Sequence, residues 1–82
     1  MKIPPGWKLE DKALVRRFQF KDFKEAFGFM TKVAAVAEAM NHHPDWTNVY
    51  NTVSVHLSTH DQGGVTEKDS KLAAEMNRLA GF

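Results

Sequence analysis

The chain has 82 residues, 43% of them hydrophobic, with no cysteine, and its 11 Lys plus Arg against 10 Asp plus Glu leave a formal net charge of +1. That suits one small domain near the lower limit of a self-sufficient core, excludes a disulfide framework, and agrees with a reducing compartment. The basic residues are scattered, with Arg16-Arg17 the only adjacent pair, so the clustered basic face of a nucleic-acid binder is missing and direct nucleic-acid binding is disfavoured.

The amino terminus, MKIPPGWKLE, has no apolar signal-peptide core. Pro4-Pro5 and Gly6 make it a stiff, extended entry. Residues 13 to 20, ALVRRFQF, alternate with a period of two: Leu14, Phe18 and Phe20 share one face, and Val15, Arg17 and Gln19 the other. Arg16 interrupts the apolar face of this predicted strand. Trp7 to Glu10 is a short hairpin partner for it, with the turn at Asp11-Lys12.

Asp22 opens a predicted helix as an N-cap, and Glu25 three residues later imitates a capping box. Phe23, Ala26, Phe27, Met30, Val33, Ala34, Ala37 and Met40 then recur at helical spacing. Gly28 interrupts this stretch at a cost of about 1 kcal/mol relative to alanine, which suggests a close packing contact. Pro44 stops the helix near Asn41. The run VAAVAEAM within it is far shorter than the roughly 20 residues of a membrane span. The expectation is one soluble, cytoplasmic domain over residues 1–82.

Val53, Val55 and Leu57 alternate with Ser54, His56 and Ser58, a further strand. Trp46, Asn48 and Tyr50 have the opposite parity, so a tight hairpin around Asn51-Thr52 is favoured over a bulge. HDQGG is turn chemistry. Thr66 begins a second helix, with Asp69 at the capping-box position. Leu72, Ala73, Met76, Leu79 and Ala80 form its apolar stripe, and Gly81 its C-cap. The order β-β-α-β-β-α predicts an α+β domain: a four-stranded antiparallel sheet with helices on one face.

His42 and His43 fall at the end of the long helix, His60 at the end of the last strand, and Asp69 early in the second helix. Such termini are where side chains from distant segments converge, and histidine titrates near working pH, so a proton-transfer site is one reading. Helix capping alone is the bland alternative. A metal site is disfavoured: the chain has neither cysteine nor a His-Glu-x-x-His motif. His56 and His60, four apart on a strand, would also lie about 13 Å apart.

The segment EAMNHHPDWTNVYNTVSVHLSTHDQGGVTEKDSKLA closely resembles the pterin-4a-carbinolamine dehydratase family. That family carries Glu/Lys-x-x-x-His-His-Pro-x-Trp-x-Asn-x-Tyr, then Leu-x-Thr-His, a glycine pair and an Asp in the following helix. The matching residues are Glu38, His42, His43, Pro44, Trp46, Asn48, Tyr50, Leu57, Thr59, His60, Gly63, Gly64 and Asp69. The upstream FQFKDFKEAFGFMTKVA is similar to the family's strand and helix, and the likeness runs from Gly6-Trp7 onward.

The resemblance implies a dehydratase that removes water from 4a-hydroxytetrahydrobiopterin, the product left by aromatic amino acid hydroxylases, giving quinonoid dihydropterin. It implies no metal and no cofactor beyond the pterin substrate. Carried over by position, His42 and His60 are the acid/base histidines, and His43 takes part chiefly by binding the pterin. Asp69 orients a histidine or the substrate, Trp7 lines the pocket, and Pro44 and Thr59 complete the substrate site. Homodimers or homotetramers are usual, and many members carry a further helix before the glycine-tryptophan pair, where this chain has five residues. Animal members also act as dimerisation cofactors of a homeodomain transcription factor, which makes a coactivator module, with nuclear localisation, the alternative. A role in molybdenum-cofactor metabolism is a third.

Overall fold

The computed structural model describes residues 2–81. Strand β1 (Lys8–Glu10) turns into β2 (Ala13–Gln19), helix α1 (Phe23–Met40) follows, then β3 (Asp45–Val49), β4 (Thr52–Leu57), a short 3-10 turn (His60–Gln62) and helix α2 (Glu67–Ala80). The strands form one antiparallel sheet in the order β1-β2-β4-β3. This is the α+β arrangement expected. Among the described residues, no helix is long and apolar enough to cross a membrane.

Both hairpins are two-residue turns. Asp11 and Lys12 take positive φ (48° and 63°), the geometry whose twist matches that of the flanking strands. The second turn is at Tyr50-Asn51, since Val49 pairs with Thr52. That register puts Trp46 opposite Val55 and Asn48 opposite Val53, so the change of parity marks the hairpin and not a bulge.

The core lies between one sheet face and the helices. Leu14 and Phe18 of β2 and Val53, Val55 and Leu57 of β4 are buried there, against Ala26, Phe29 and Val33 of α1 and Leu72, Ala73 and Met76 of α2. Phe29 sits 4.9 Å, centroid to centroid, from both Phe18 and Phe20. Burying aromatic rings of this size supplies much of a small core's stability.

The apolar stripe of α1 is rotated from the expected one. Ala26, Phe29, Val33 and Ala37 face inward, while Phe23 and Phe27 are 49% and 52% exposed, and Ala34 is exposed as well. Phe27 and Phe29 lie two residues apart, on opposite sides of a helix, so only one can enter the core. Phe18 and Phe20 provide aromatic partners for Phe29. Gly28 likewise lies on the outside, and a methyl group added there would meet nothing within 4 Å. The close packing contact expected at Gly28 is therefore not present.

Arg16, which interrupts the apolar face of β2, has a defined place. Its guanidinium lies 4.4 Å from the centre of the Phe18 ring and donates to Asn77 Oδ1 at 2.6 Å and to the Pro5 carbonyl at 3.1 Å. Burial lowers its pKa from the ordinary arginine range. Asn77 in turn donates to the Pro5 carbonyl at 2.9 Å and accepts from the Trp7 indole at 2.9 Å. Gly6, at φ 85°, runs so close that a Cβ would come 2.5 Å from the guanidinium. The amino-terminal segment is thus pinned to the last turns of α2.

Candidate active site

Helix α1 ends because Asn41 turns into the left-handed conformation (φ 53°), its N–H bonding back to the Ala37 and Glu38 carbonyls. The His42 N–H closes the turn onto Ala37 O at 3.0 Å. Asparagine tolerates this backbone geometry better than most residues. The chain therefore leaves the helix at once, with His42 and His43 projecting from its end before Pro44 leads into β3.

At the other side, β4 ends at Leu57, three residues short of His60, which therefore lies beyond the strand and not at its end. His60 opens the 3-10 turn, which Gly63 ends at φ 69°. Gly64 does not take positive φ. Thr59 N–H donates to the Gly64 carbonyl at 2.8 Å, closing residues 59 to 64 into a small loop.

Asp69 joins the two sides. It is the third residue of α2 and accepts the Thr66 backbone N–H on Oδ2 at 2.9 Å, while the Thr66 side chain accepts from Lys68 N–H, a capping box. The same Oδ2 accepts the Thr59 hydroxyl at 2.8 Å. Oδ1 accepts from His42 Nε2 at 2.6 Å. The carboxylate has no solvent exposure. Three donors thus converge on this carboxylate: the Thr66 backbone N–H, the Thr59 hydroxyl and the His42 ring. It commits the Nε2 proton of His42 and leaves Nδ1 as the nitrogen free to exchange protons.

A surface cavity of about 560 Å³ is lined by His42, His43 and His60, with Asn41, Ser58, Thr59, Asp61 and Lys68. The structure thus brings together three of the four histidines from the ends of α1 and β4. His43 Nε2 donates to Glu38 Oε1 at 2.9 Å on the exposed rim. His56 is elsewhere: it pairs with Val15 and Asp45 on the uncovered sheet face. Among the described residues, no three His, Cys, Asp or Glu side chains converge as a metal-binding group.

Trp7 is not brought to this cavity. It lies in the core, edge-on to Phe18 at 5.9 Å, with its indole N–H on Asn77. Its position follows from β1, which pairs only with β2 at the sheet edge far from β3. Pro44 is half-buried at the entry to β3 and is not part of the lining. Thr59 lines the cavity, but its hydroxyl is spent on Asp69.

Lys68, Ser58, Asn41 and Asp61 were not singled out from the sequence. Lys68 carries a usable signal, since a cation in a first helical turn opposes the helix dipole.

The sequence model of the pterin 4 alpha carbinolamine dehydratase family matches residues 1–79. The chain belongs to that family.

Among its relatives, a Prochlorococcus marinus protein is 57% identical over 75 residues, covering 92% of this chain and 78% of the relative. An Afipia carboxidovorans protein is 59% identical over 78 residues, covering 93% and 78%. Both are provisionally named pterin-4-alpha-carbinolamine dehydratases. A crystal structure from Brucella melitensis, described as a transcriptional coactivator/pterin dehydratase, superposes with a TM-score of 0.92 at 52% identity, covering 94% of this chain and 84% of that one. A pterin dehydratase-like protein described as a RuBisCO assembly factor of the alpha-carboxysome shares the fold, with a TM-score of 0.76 at 24% identity over 92% of this chain and 87% of its own. The family resemblance read from the double-histidine segment is borne out.

Proposed function

We propose that the protein is a hydro-lyase that removes water from a 4a-hydroxytetrahydropterin, 4a-hydroxytetrahydrobiopterin in a tetrahydrobiopterin cycle, and returns the quinonoid dihydropterin. The observation that supports this most is that His42, held from behind by the buried Asp69, lines the same cavity as His43 and His60. The cavity volume lies within the roughly 300–1,000 Å³ typical of small-molecule sites.

In this elimination the N5–H proton passes to a base, and the N–H electron pair forms the N5=C4a double bond. The C4a–O bond breaks as an acid protonates the leaving hydroxyl, which departs as water. Electrons balance without a redox cofactor, so the pterin substrate is the only small molecule the reaction requires. His42 and His60 take the acid and base roles, and the configuration at C4a decides which is which. Asp69 keeps the His42 ring oriented, and His43 binds the pterin. Well-placed acid–base groups of this kind contribute about 10²–10⁴-fold each. The test is acceleration of pterin dehydration by the wild type that is lost on changing His42 to alanine; a fully active His42→Ala variant would remove that residue from the mechanism.

The working form is a homodimer or homotetramer. Phe23 and Phe27, 5.6 Å apart between ring centroids, form an exposed aromatic pair on the outer flank of α1. Apolar surface of this kind on a small chain favours association. Sedimentation giving a monomer at micromolar concentration would contradict it. The same flank supports a second reading, a coactivator module that bridges partner helices, in keeping with the description of the Brucella relative. A folded wild type inactive on the pterin would favour that reading.

A further inference from the structure

Thr66 caps α2, yet its hydroxyl does more than cap. Each threonine hydroxyl has one proton and two lone pairs. Thr59 spends its proton on Asp69 Oδ2, so across the 2.8 Å contact between the two hydroxyls Thr66 must be the donor and Thr59 the acceptor. Thr66 Oγ1 meanwhile accepts from Lys68 N–H. Every direction in the chain is thereby set: Thr66 to Thr59, Thr59 to Asp69, and His42 to Asp69 from the other side.

The two threonines also join different parts of the site. Thr59 is the residue before His60 and anchors the small loop that carries it. Thr66 and Asp69 belong to the first turn of α2, which holds His42. Two side-chain contacts join the turn bearing His60 to the helix start that holds His42: the Thr59–Asp69 bond and, beside it, the hydroxyl pair, which orients the Thr59 hydroxyl toward Asp69.

We propose that Thr66 is a positioning residue: by donating to Thr59 its hydroxyl holds the Thr59 hydroxyl on Asp69, completes the clasp of the His60 turn to the Asp69–His42 pair, and so fixes the separation of the two proton-transfer histidines. This rests on the reading of those histidines as the acid–base pair. Small displacements of reacting groups cost up to about a hundredfold in rate, so loss of the clasp acts on turnover and leaves binding nearly intact.

The test compares Thr66→Ser, Thr66→Val and Thr66→Gly by kinetics and by NMR of the imidazole protons in the unliganded protein. Glycine is a tolerated N-cap, so Thr66→Gly removes the hydroxyl while keeping the helix start, and serves if the valine variant does not fold. The expected result is a fall in kcat of about tenfold or more in Thr66→Val and Thr66→Gly, with KM within about twofold and near wild-type kinetics in Thr66→Ser. The hydrogen-bonded His42 Nε2–H resonance should be present in the wild type and in Thr66→Ser, and lost to exchange in the other two. Retention of that resonance and of kcat in Thr66→Gly would reduce Thr66 to a helix cap. Equal impairment in Thr66→Ser would overturn the proposal too, because the hydroxyl would not be the cause. If the wild type proves inactive on the pterin, the NMR comparison still decides whether the clasp holds His42, separately from the failure of the functional reading.

Discussion

His42 and Asp69, 27 positions apart in the chain, meet at 2.6 Å through a carboxylate that is wholly shielded from solvent. The same carboxylate is the third residue of α2 and completes its capping box. One side chain therefore serves the start of a helix and the orientation of an imidazole. Asp69→Asn puts an amide NH₂ where one acceptor stood, so at least one of the three donors loses its partner. The expected outcome is a loss of about 1–3 kcal/mol in unfolding free energy, with a fall in kcat of about 10²–10⁴-fold. Urea unfolding and steady-state kinetics on the same preparation check both; a destabilised variant with wild-type kcat would leave Asp69 a purely structural role.

Asn77 ties α2 to two segments remote from it in sequence: the amino-terminal one, through the Pro5 carbonyl and the Trp7 indole, and β2, through the Arg16 guanidinium. Replacing it with alanine strands the buried indole N–H and weakens the hold on the amino-terminal segment. A loss of about 1–3 kcal/mol is expected, with Trp7 fluorescence shifting as the segment loosens. Unchanged stability and an unchanged emission maximum would show that the indole finds another acceptor.

The two sides of α1 predict opposite responses to substitution. Phe29→Ala removes a buried ring from the aromatic cluster and should cost about 3–5 kcal/mol. Phe27→Ser changes a side chain that is half exposed, and its effect on the stability of a monomer should stay within about 0.5 kcal/mol. If the outer flank mediates association, Phe27→Ser also shifts sedimentation toward monomer. An unaltered sedimentation profile would move the interface to another face.

Gly28→Ala offers a stabilising change. No atom lies within 4 Å of the added methyl group, and alanine is favoured over glycine in a helix interior by up to about 1 kcal/mol. The urea midpoint should rise with the slope of the transition unchanged. A lower midpoint would mean that the glycine serves a contact made only in the assembled protein.

Most of the architecture was legible because local chemistry and tertiary packing agree. Asp22 and Thr66 cap the helices they precede, Gly81 ends the second, and both two-residue turns fall within one residue of their expected places. The phase of α1 was not legible. Its phenylalanines and alanines satisfy two overlapping stripes, and the choice is made by Phe18 and Phe20 on a distant strand.

The site was legible in its histidines and not in its supports. The chain shows His42, His43, His60 and Asp69 as separate marks. That Asp69 bonds to His42, that Thr59 turns its hydroxyl to that carboxylate, and that Lys68 lines the cavity all depend on how α2 docks beside the end of α1. Trp7 shows the reverse: the resemblance assigned it to the pocket, and within this chain its ring packs on Phe18 instead.

The most direct measurement is the dehydration rate of freshly generated 4a-hydroxytetrahydropterin, followed by absorbance, with wild type and His60→Ala side by side. Acceleration by the wild type, lost in folded His60→Ala, is the predicted result and would place proton transfer at the turn that follows β4. A folded wild type that leaves the spontaneous rate unchanged would contradict the dehydratase account.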